Sequence, residues 1–293
     1  MRVAVTGGTG FVGIHTARAL KSAGHEVVIV ARGTIRQPKG ERVSFVRADI
    51  TNSAALADTF AGCDAVVHLV AVIREKGRQT YDRVNREGTV RVAEAAKQAK
   101  VGHLVYQGAL GADPDPRFPY LVSKWLAEQA VKASGVPYTA LRPGLIFGPG
   151  DGFFTLLTRM MRIQPVIPIA GNGRTLFQPI SIDDVTRCIV LAVERGPSEL
   201  VHEIGGPDQM SYEEIILTIK AELGLHRKVA HVPVPMMMPL AFMMETVLRN
   251  PPVTRDQLKM LARNNITRVD SVRVAFGFDA MRFADNCDYL QDY

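Results

Sequence analysis

Thr6-Gly7-Gly8-Thr9-Gly10-Phe11-Val12-Gly13 joins a short apolar run, Arg2–Thr6, to a helical pattern over Phe11–Ala23. Gly7, Gly10 and Gly13 have the GxxGxxG spacing. The turn out of a buried strand needs a residue without a Cβ. The middle glycine lets backbone amides approach a phosphate, and the last lets the helix sit close to the sheet. The positive end of the helix then faces the anion. A glycine pattern alone is weak. Between a strand and a helix, at the start of an alternating fold, it predicts the pyrophosphate site of an adenine dinucleotide.

The alternation continues outward from that loop. The first helix carries Val12, Ala17 and Leu20 at helical spacing and stops at Gly24. Glu26–Val30 and Val43–Val46 read as strands, and Ala54–Phe60 as a short helix ending near Gly62. Ala65–Val70 is almost continuously apolar, as in a strand covered on both faces. Tyr81–Ala99 predicts one long helix, His103–Tyr106 a strand, Pro119–Ala133 a helix and Tyr138–Arg142 a strand. The fold class is α/β: a Rossmann-type doubly wound parallel sheet with a smaller C-terminal substrate lobe. Crossovers in such a sheet are right-handed, and ligands bind at the carboxyl ends of its strands.

After about residue 147 the rhythm changes. Gly148–Gly152 reads as a loop, Phe153–Arg162 as a helix and Gly171–Arg174 as a turn. Ser181–Glu194 reads as a helix with Asp183 and Asp184 in its first turn, which suits the helix dipole. Val201–Ile204 returns to the sheet, and Ser211 with Glu214 forms a capping box for Ser211–Leu223. From Pro233 onward the chain reads as irregular. The expected division is 1–147 plus 176–206 for the dinucleotide domain, and 148–175 plus 207–293 for the smaller lobe.

The chain has 293 residues, 47% hydrophobic and 22% charged, enough for a well-buried core. Its net charge of +6 fits nucleic acid, an anionic membrane surface or anionic ligands. The basic residues are spread out, with a modest group at Arg32, Arg36, Lys39, Arg42 and Arg47, and no nucleic-acid motif appears. Nucleic acid is therefore not expected. Cys63, Cys188 and Cys287 lie far apart and form no disulfide framework, which points to a reducing compartment. The seven histidines show no HExxH or His/Cys cluster, so no metal site is expected. Glycines and a histidine break the N-terminal apolar stretch, and no run approaches the ~20 apolar residues of a membrane span. A cytoplasmic protein is expected.

The end of the second strand sets the cofactor expectation. An NAD-binder usually carries Asp or Glu there for the ribose hydroxyls. This chain has Ala31-Arg32-Gly33, with Arg36 and Lys39 nearby. A guanidinium fork suits a 2′-phosphate, so NADP(H) is favoured over NAD(H). Asp49-Ile50 follows the third strand, where Asp49 either holds the adenine edge or caps the next helix.

Tyr120-Leu121-Val122-Ser123-Lys124 puts Tyr120 and Lys124 one helical turn apart on one face. A free tyrosine ionises near pH ~10. A neighbouring ammonium lowers that, so the pair suits proton transfer while a dinucleotide carries hydride.

These motifs carry a resemblance. The loop, His68–Ala71 (HLVA), Asn85 in VNREGT, YLVSK and Arg142–Phe153 (RPGLIFGPGDGF) resemble the extended short-chain dehydrogenase/reductase superfamily. Gly171–Val185 (GNGRTLFQPISIDDV) and Glu203–Ile215 (EIGGPDQMSYEEI) extend the match. The chain looks most like the atypical branch holding the nucleotide-binding accessory subunit of respiratory complex I and its bacterial relatives. The resemblance implies a Rossmann domain, bound NAD(P)(H) and a substrate lobe built from C-terminal segments. It implies that Gly7, Gly10 and Gly13 face phosphate and that Thr9, Phe11 and Val12 between them also bind the cofactor. It implies that Leu69, Val70, Ala71, Gly108, Pro143 and Ile146 line the cofactor, and that Tyr120 and Lys124 face the nicotinamide ribose.

Active members place a Ser or Thr after the fifth strand, beside the substrate carbonyl. The matching position here, twelve residues before Tyr120, is Gly108. Losing one oxyanion donor costs several kcal/mol of transition-state stabilisation. Two functions are therefore expected side by side. One is an oxidoreductase or epimerase-type enzyme on a small carbonyl or alcohol. The other is a non-catalytic structural or redox-sensing protein on a respiratory or quinone-related complex, peripheral to the inner membrane. A nucleotide-responsive regulator that binds another protein is a third.

Pro235–Met244 is rich in methionine. Pro239 suits a first helical position, after which Leu240, Met243, Met244, Val247 and Leu248 share a face. Arg249, Arg255, Lys259 and Arg263 follow. The segment reads first as a core helix of the smaller lobe or the lining of an apolar cleft. Its second reading is a partner or membrane-surface contact.

Overall fold

Apolar runs of four to six residues make the central sheet of the computed structural model, which describes residues 1–33, 42–51, 53–248 and 254–293. The labelled elements of this first unit are β1 (Arg2–Thr6), α1 (Phe11–Ser22), β2 (Glu26–Ala31), β3 (Val43–Arg47) and α2 (Ser53–Phe60). There follow β4 (Ala65–His68), α3 (Gly88–Gln98), β5 (His103–Gln107), α4 (Pro119–Ala133) and β6 (Tyr138–Pro143). Two later segments complete the set, α5 (Ile182–Arg195) and β7 (Val201–Ile204). Among the described residues the sheet has seven strands in the order β7-β6-β5-β4-β1-β2-β3, all parallel. Val5 faces Ile29 on one side and Val67 on the other. Strand order reverses between β1 and β4, which opens a crevice at their carboxyl ends.

Helices cover both faces. α1 lies beside α5, while α2, α3 and α4 follow one another on the other face. Between that face and the sheet, Leu56, Phe60, Val66, Val92, Leu104 and Tyr106 form one buried cluster. Each large apolar side chain buried there stabilises the fold by about 1.5–3 kcal/mol.

Two sequence expectations change here. The single helix over Tyr81–Ala99 is instead a wide π-type turn, Tyr81–Glu87, followed by α3. The junction is Gly88, where a Cβ would stand 2.4 Å from Ile50 Cδ1, so the helix lies tight on the core. β4 ends at His68, not Val70: the Leu69 N–H makes a last bond to the Thr6 carbonyl (3.2 Å), and beyond it β1 has turned away at Gly7, so Val70 has no strand to pair with there.

The chain divides into two compact units, Met1–Pro143 with Ile182–Ile204, and Gly144–Ser181 with Gly205–Tyr293. In the second unit, strands Val166–Ala170 and Lys228–Val232 pair in parallel, Ile167 facing Val229. The helix Tyr212–Glu222 carries the Ser211/Glu214 capping box. Phe154 and Phe283 stack in its core, ring centroids 4.7 Å apart. The Tyr289 hydroxyl donates to Asp151 (2.5 Å), whose other oxygen accepts from the Phe154 and Thr155 amides at the start of the helix Phe153–Ile163.

The tail beyond Pro233 is more regular than expected. It holds helices at Val234–Val247, Arg255–Met260 and Ser271–Phe276. The first begins five residues before Pro239, because Pro235 in its first turn has φ already set for helix. Pro239 then sits inside at the loss of one ladder bond. Among the described residues no helix is long and apolar enough to cross a membrane.

Candidate active site

The glycine loop leaves β1 by a left-handed turn. Gly7 has φ 76°, and its N–H donates to the Val30 carbonyl (3.0 Å). A Cβ on Gly7 would crowd Val70 Cγ2 at 3.1 Å. A Cβ on Gly13 would lie 2.1 Å from the Gly7 oxygen, which no rearrangement of a side chain relieves. Gly10 caps α1 without a side chain, and the first turn holds no acidic residue. The amides of Phe11, Val12 and Gly13 are thus first-turn donors with no side-chain cap. This uncapped, glycine-lined helix start fits a pyrophosphate.

At the end of β2, Arg32 and Gly33 are exposed. With the Gln79 amide oxygen turned toward it, both terminal nitrogens of Arg32 lie 3.2 Å from that oxygen. Arg47, at the end of β3, donates Nε to the Arg32 carbonyl (3.1 Å). Arg36 and Lys39 lie outside the described residues. Asp49 Oδ1 accepts from the Thr51 N–H (2.9 Å), and the Ile50 side chain is buried against Gly88.

Tyr120 and Lys124 stand on α4, which Pro119 opens at its first position. Lys124 is 3% exposed. Its Nζ donates to the Gln107 carbonyl (2.6 Å) and lies 4.7 Å from the centre of the Tyr106 ring. Burial pushes the Lys124 ammonium down to about 7, against the opposing pull of Glu128. Tyr120 is half-buried, and its ring meets Tyr81 edge-on at 5.8 Å. Burial pushes its phenol up to about 12. The lowered phenol expected from the lysine is absent in this form: burial raises the phenol, and the Lys124 ammonium is bonded to the Gln107 carbonyl.

The remaining expected positions lie on several elements. Leu69 and Val70 follow β4 beside Gly7, and Ala71 is exposed. Pro143 ends β6 and accepts from the Leu110 N–H (3.0 Å). Ile146 belongs to the second unit. Gly108 is buried and donates to the Leu141 carbonyl (2.7 Å). A Cβ there would meet Arg142 Cγ at 3.1 Å and the Leu141 oxygen at 3.3 Å. Beside it, the Gln107 side-chain oxygen is buried without a hydrogen-bond partner.

A buried polar chain supports the site. Thr89 donates its one hydroxyl proton to the Asn85 carbonyl (2.6 Å), so the Thr89 oxygen must accept from His68 Nε2 (3.0 Å). His68 Nδ1 then accepts from the Thr6 hydroxyl (2.6 Å). Burial, aided by the Lys124 charge, holds His68 neutral and pushes it down to about 3. The Asn85 amide grips Val72 on both sides (2.8 and 3.1 Å) and donates to Ser123 Oγ (3.0 Å). Ser123 in turn donates to the Tyr120 carbonyl (2.6 Å). The strand that precedes the glycine loop is thereby linked to the helix that carries Tyr120. Below it, fully buried Glu128 pairs with Arg142 (2.6 and 3.0 Å) and Lys132 (2.8 Å).

Sequence reading missed the roles of His68, Thr89, Glu128 and Gln79. His68 carried a signal, a polar residue closing a buried strand. Gln79 carried none. Among the described residues no group of three or more His, Cys, Asp or Glu side chains gathers as metal ligands would.

A parallel sheet whose first strand–helix turn is an uncapped glycine cradle defines a Rossmann-type dinucleotide fold. Residues 3–205 match the NAD dependent epimerase/dehydratase family, and the chain belongs to it. That membership supports NAD(H) binding. The chain is 31% identical over 194 residues to the ceramide reductase of Caulobacter vibrioides, covering 64% of this chain and 59% of that protein. It is 24% identical over 264 residues to the mitochondrial NADH-ubiquinone oxidoreductase 40 kDa subunit of Neurospora crassa, covering 87% and 69%. Among solved structures it is similar to MoeE5 in complex with UDP-glucuronic acid and NAD. That likeness has 26% identity and a TM-score of 0.76, over 100% of this chain and 99% of the other.

Proposed function

We propose that this chain is an NADP(H)-dependent oxidoreductase or epimerase-type enzyme acting on a small carbonyl or alcohol. The observation that carries the reading is the Tyr120–Lys124 pair on α4, with Lys124 Nζ fixed at the carboxyl end of β5. The dinucleotide, when bound, supplies the hydride chemistry. The Phe11, Val12 and Gly13 amides hold its pyrophosphate, and Arg32 leaves Gln79 to hold the 2′-phosphate. Lys124 holds ribose hydroxyls. Tyr120, protonated at neutral pH, gives its phenolic proton to the substrate oxygen during reduction and takes it back during oxidation.

The test is NADPH consumption by the purified chain against a panel of aldehydes and ketones. Turnover that falls at least about a hundredfold in Tyr120→Phe supports the enzyme. No consumption across the panel, and no transient reduction of bound NADP+ by alcohols, overturns it.

Gly108 favours a second reading, a non-catalytic NADP(H)-binding structural or redox-sensing protein on a respiratory or quinone-related complex. The relationship to a respiratory subunit supports it. It requires NADPH that stays bound through gel filtration and does not exchange, and a partner recovered with the chain after gentle lysis.

A further inference from the structure

Two backbone segments far apart in sequence bring Arg32 and Gln79 together. Arg32 follows β2, and Arg47 Nε holds its carbonyl at 3.1 Å. Gln79 lies in the stretch between β4 and α3, where the Lys76 and Gln79 backbones bond each other twice (3.0 and 2.9 Å). The next residue, Thr80, caps the Tyr81–Glu87 turn by accepting from the Arg83 N–H (3.2 Å). Both backbones are therefore fixed by bonds of their own, independent of the side chains that meet between them. With its amide oxygen toward the guanidinium, Gln79 accepts from both terminal nitrogens of Arg32, each at 3.2 Å. Among the described residues no carboxylate pairs with Arg32. Gln79 thus orients the fork and leaves its charge uncompensated.

We propose that Gln79 is a specificity-determining residue, which competes with the 2′-phosphate of the cofactor for Arg32 and so sets how strongly NADP(H) is preferred. The proposal rests on the reading of Arg32 as the 2′-phosphate contact. A ribose that carries only a hydroxyl leaves the Arg32–Gln79 pair intact. A phosphate must take the fork from Gln79. It can, because it adds the attraction of opposite charges and offers three acceptor oxygens where the amide offers one. The neutrality of residue 79 is the deciding property. An amide yields the guanidinium to an anion. A carboxylate at the same place would hold it as an ion pair and repel the phosphate. Cofactor preference is then written at two positions, the fork after β2 and the neutral side chain that meets it from the segment after β4.

The test is titration of nucleotide-free protein with NADPH and NADH in the wild type, Gln79→Glu and Gln79→Met, each repeated in an Arg32→Ala background. Gln79→Glu is expected to weaken NADPH binding by at least about tenfold and to leave NADH within about twofold of the wild type. Gln79→Met removes the competing oxygen at nearly the same length. It is expected to tighten NADPH by about twofold to tenfold, again without effect on NADH. In the Arg32→Ala background the methionine should change nothing, and the glutamate should keep only a weaker repulsion of the phosphate. Unchanged NADH affinity shows that each variant is folded. Variants that bind NADPH as the wild type does, or whose effects persist undiminished without Arg32, overturn the proposal while leaving Arg32 as the phosphate contact. So does a loss of NADH as large as the loss of NADPH. Arg32→Ala protein that binds NADPH as tightly as the wild type overturns the reading of Arg32, and the proposal with it.

Discussion

Lys124 Nζ stands 2.6 Å from the Gln107 carbonyl oxygen and ties α4 to the carboxyl end of β5. Burial holds this amine down to about 7, so in the free protein it is half protonated at neutral pH. A polyanionic dinucleotide whose ribose hydroxyls reach Nζ favours the ammonium. Binding above pH 7 is therefore expected to take up close to one proton. Calorimetric titration at pH 8 in buffers of different ionisation heat measures it. The heats should differ in the wild type and coincide in Lys124→Met; equal wild-type heats would count against Lys124 as the ribose contact.

His68 makes stability depend on pH in a defined window. Its folded pKa, about 3, lies below the free value of 6.5. The unfolded chain binds the extra proton between these values, so stability is complete above pH 6.5 and is lost as pH falls toward 3. His103, pushed down to about 4 by burial, adds to the same fall. From pH 6.5 to 5, His68 alone costs about 2 kcal/mol. Urea unfolding at several pH values checks this, with His68→Gln expected to flatten the slope by one proton.

Much of the first unit was legible in the residues. The strands are continuous apolar runs because both faces of the sheet are covered, and β7 lies at Val201–Ile204 as read. The capping box at Ser211 needs only local chemistry, and it formed. Elements set by distant contacts were not legible. The break between Tyr81–Glu87 and α3 depends on Ile50 meeting Gly88 across the core. The paired strands Val166–Ala170 and Lys228–Val232 contain Pro168, Lys228 and His231 and lack a clear period. At the site, Tyr120 and Lys124 announce themselves by spacing. The tautomer of His68 and the pairing of Glu128 with Arg142 exist only once the sheet has formed.

Gly13→Ala is expected to abolish dinucleotide binding and to cost about 2 kcal/mol or more. The new Cβ meets backbone, the Gly7 oxygen, and not a movable side chain. Thermal melts with and without NADPH check both effects. A variant as stable as the wild type and still shifted by NADPH would show that α1 and the loop are looser than this geometry requires.

Gly108→Ser restores the missing hydroxyl. Its Cβ contacts, 3.1 Å to Arg142 Cγ and 3.3 Å to the Leu141 oxygen, ask for shifts of a few tenths of an ångström, so the fold should survive. If the wild type turns over slowly for want of a donor, kcat should rise by about tenfold or more while the NADPH affinity stays the same. Single-turnover NADPH oxidation with a reactive aldehyde is the readout. An unchanged rate would place the limit elsewhere than the absent hydroxyl.

The most direct test of the central claim is a paired titration of nucleotide-free protein with NADPH and NADH, repeated on Arg32→Ala. Arg32 is exposed at the end of β2, and no carboxylate occupies Ala31, Arg32 or Gly33. NADPH should bind at least about tenfold more tightly than NADH, and Arg32→Ala should erase the difference while leaving NADH affinity intact. NADH binding as tightly as NADPH in the wild type would contradict the role given to Arg32, and failure of both to bind would contradict the dinucleotide site itself.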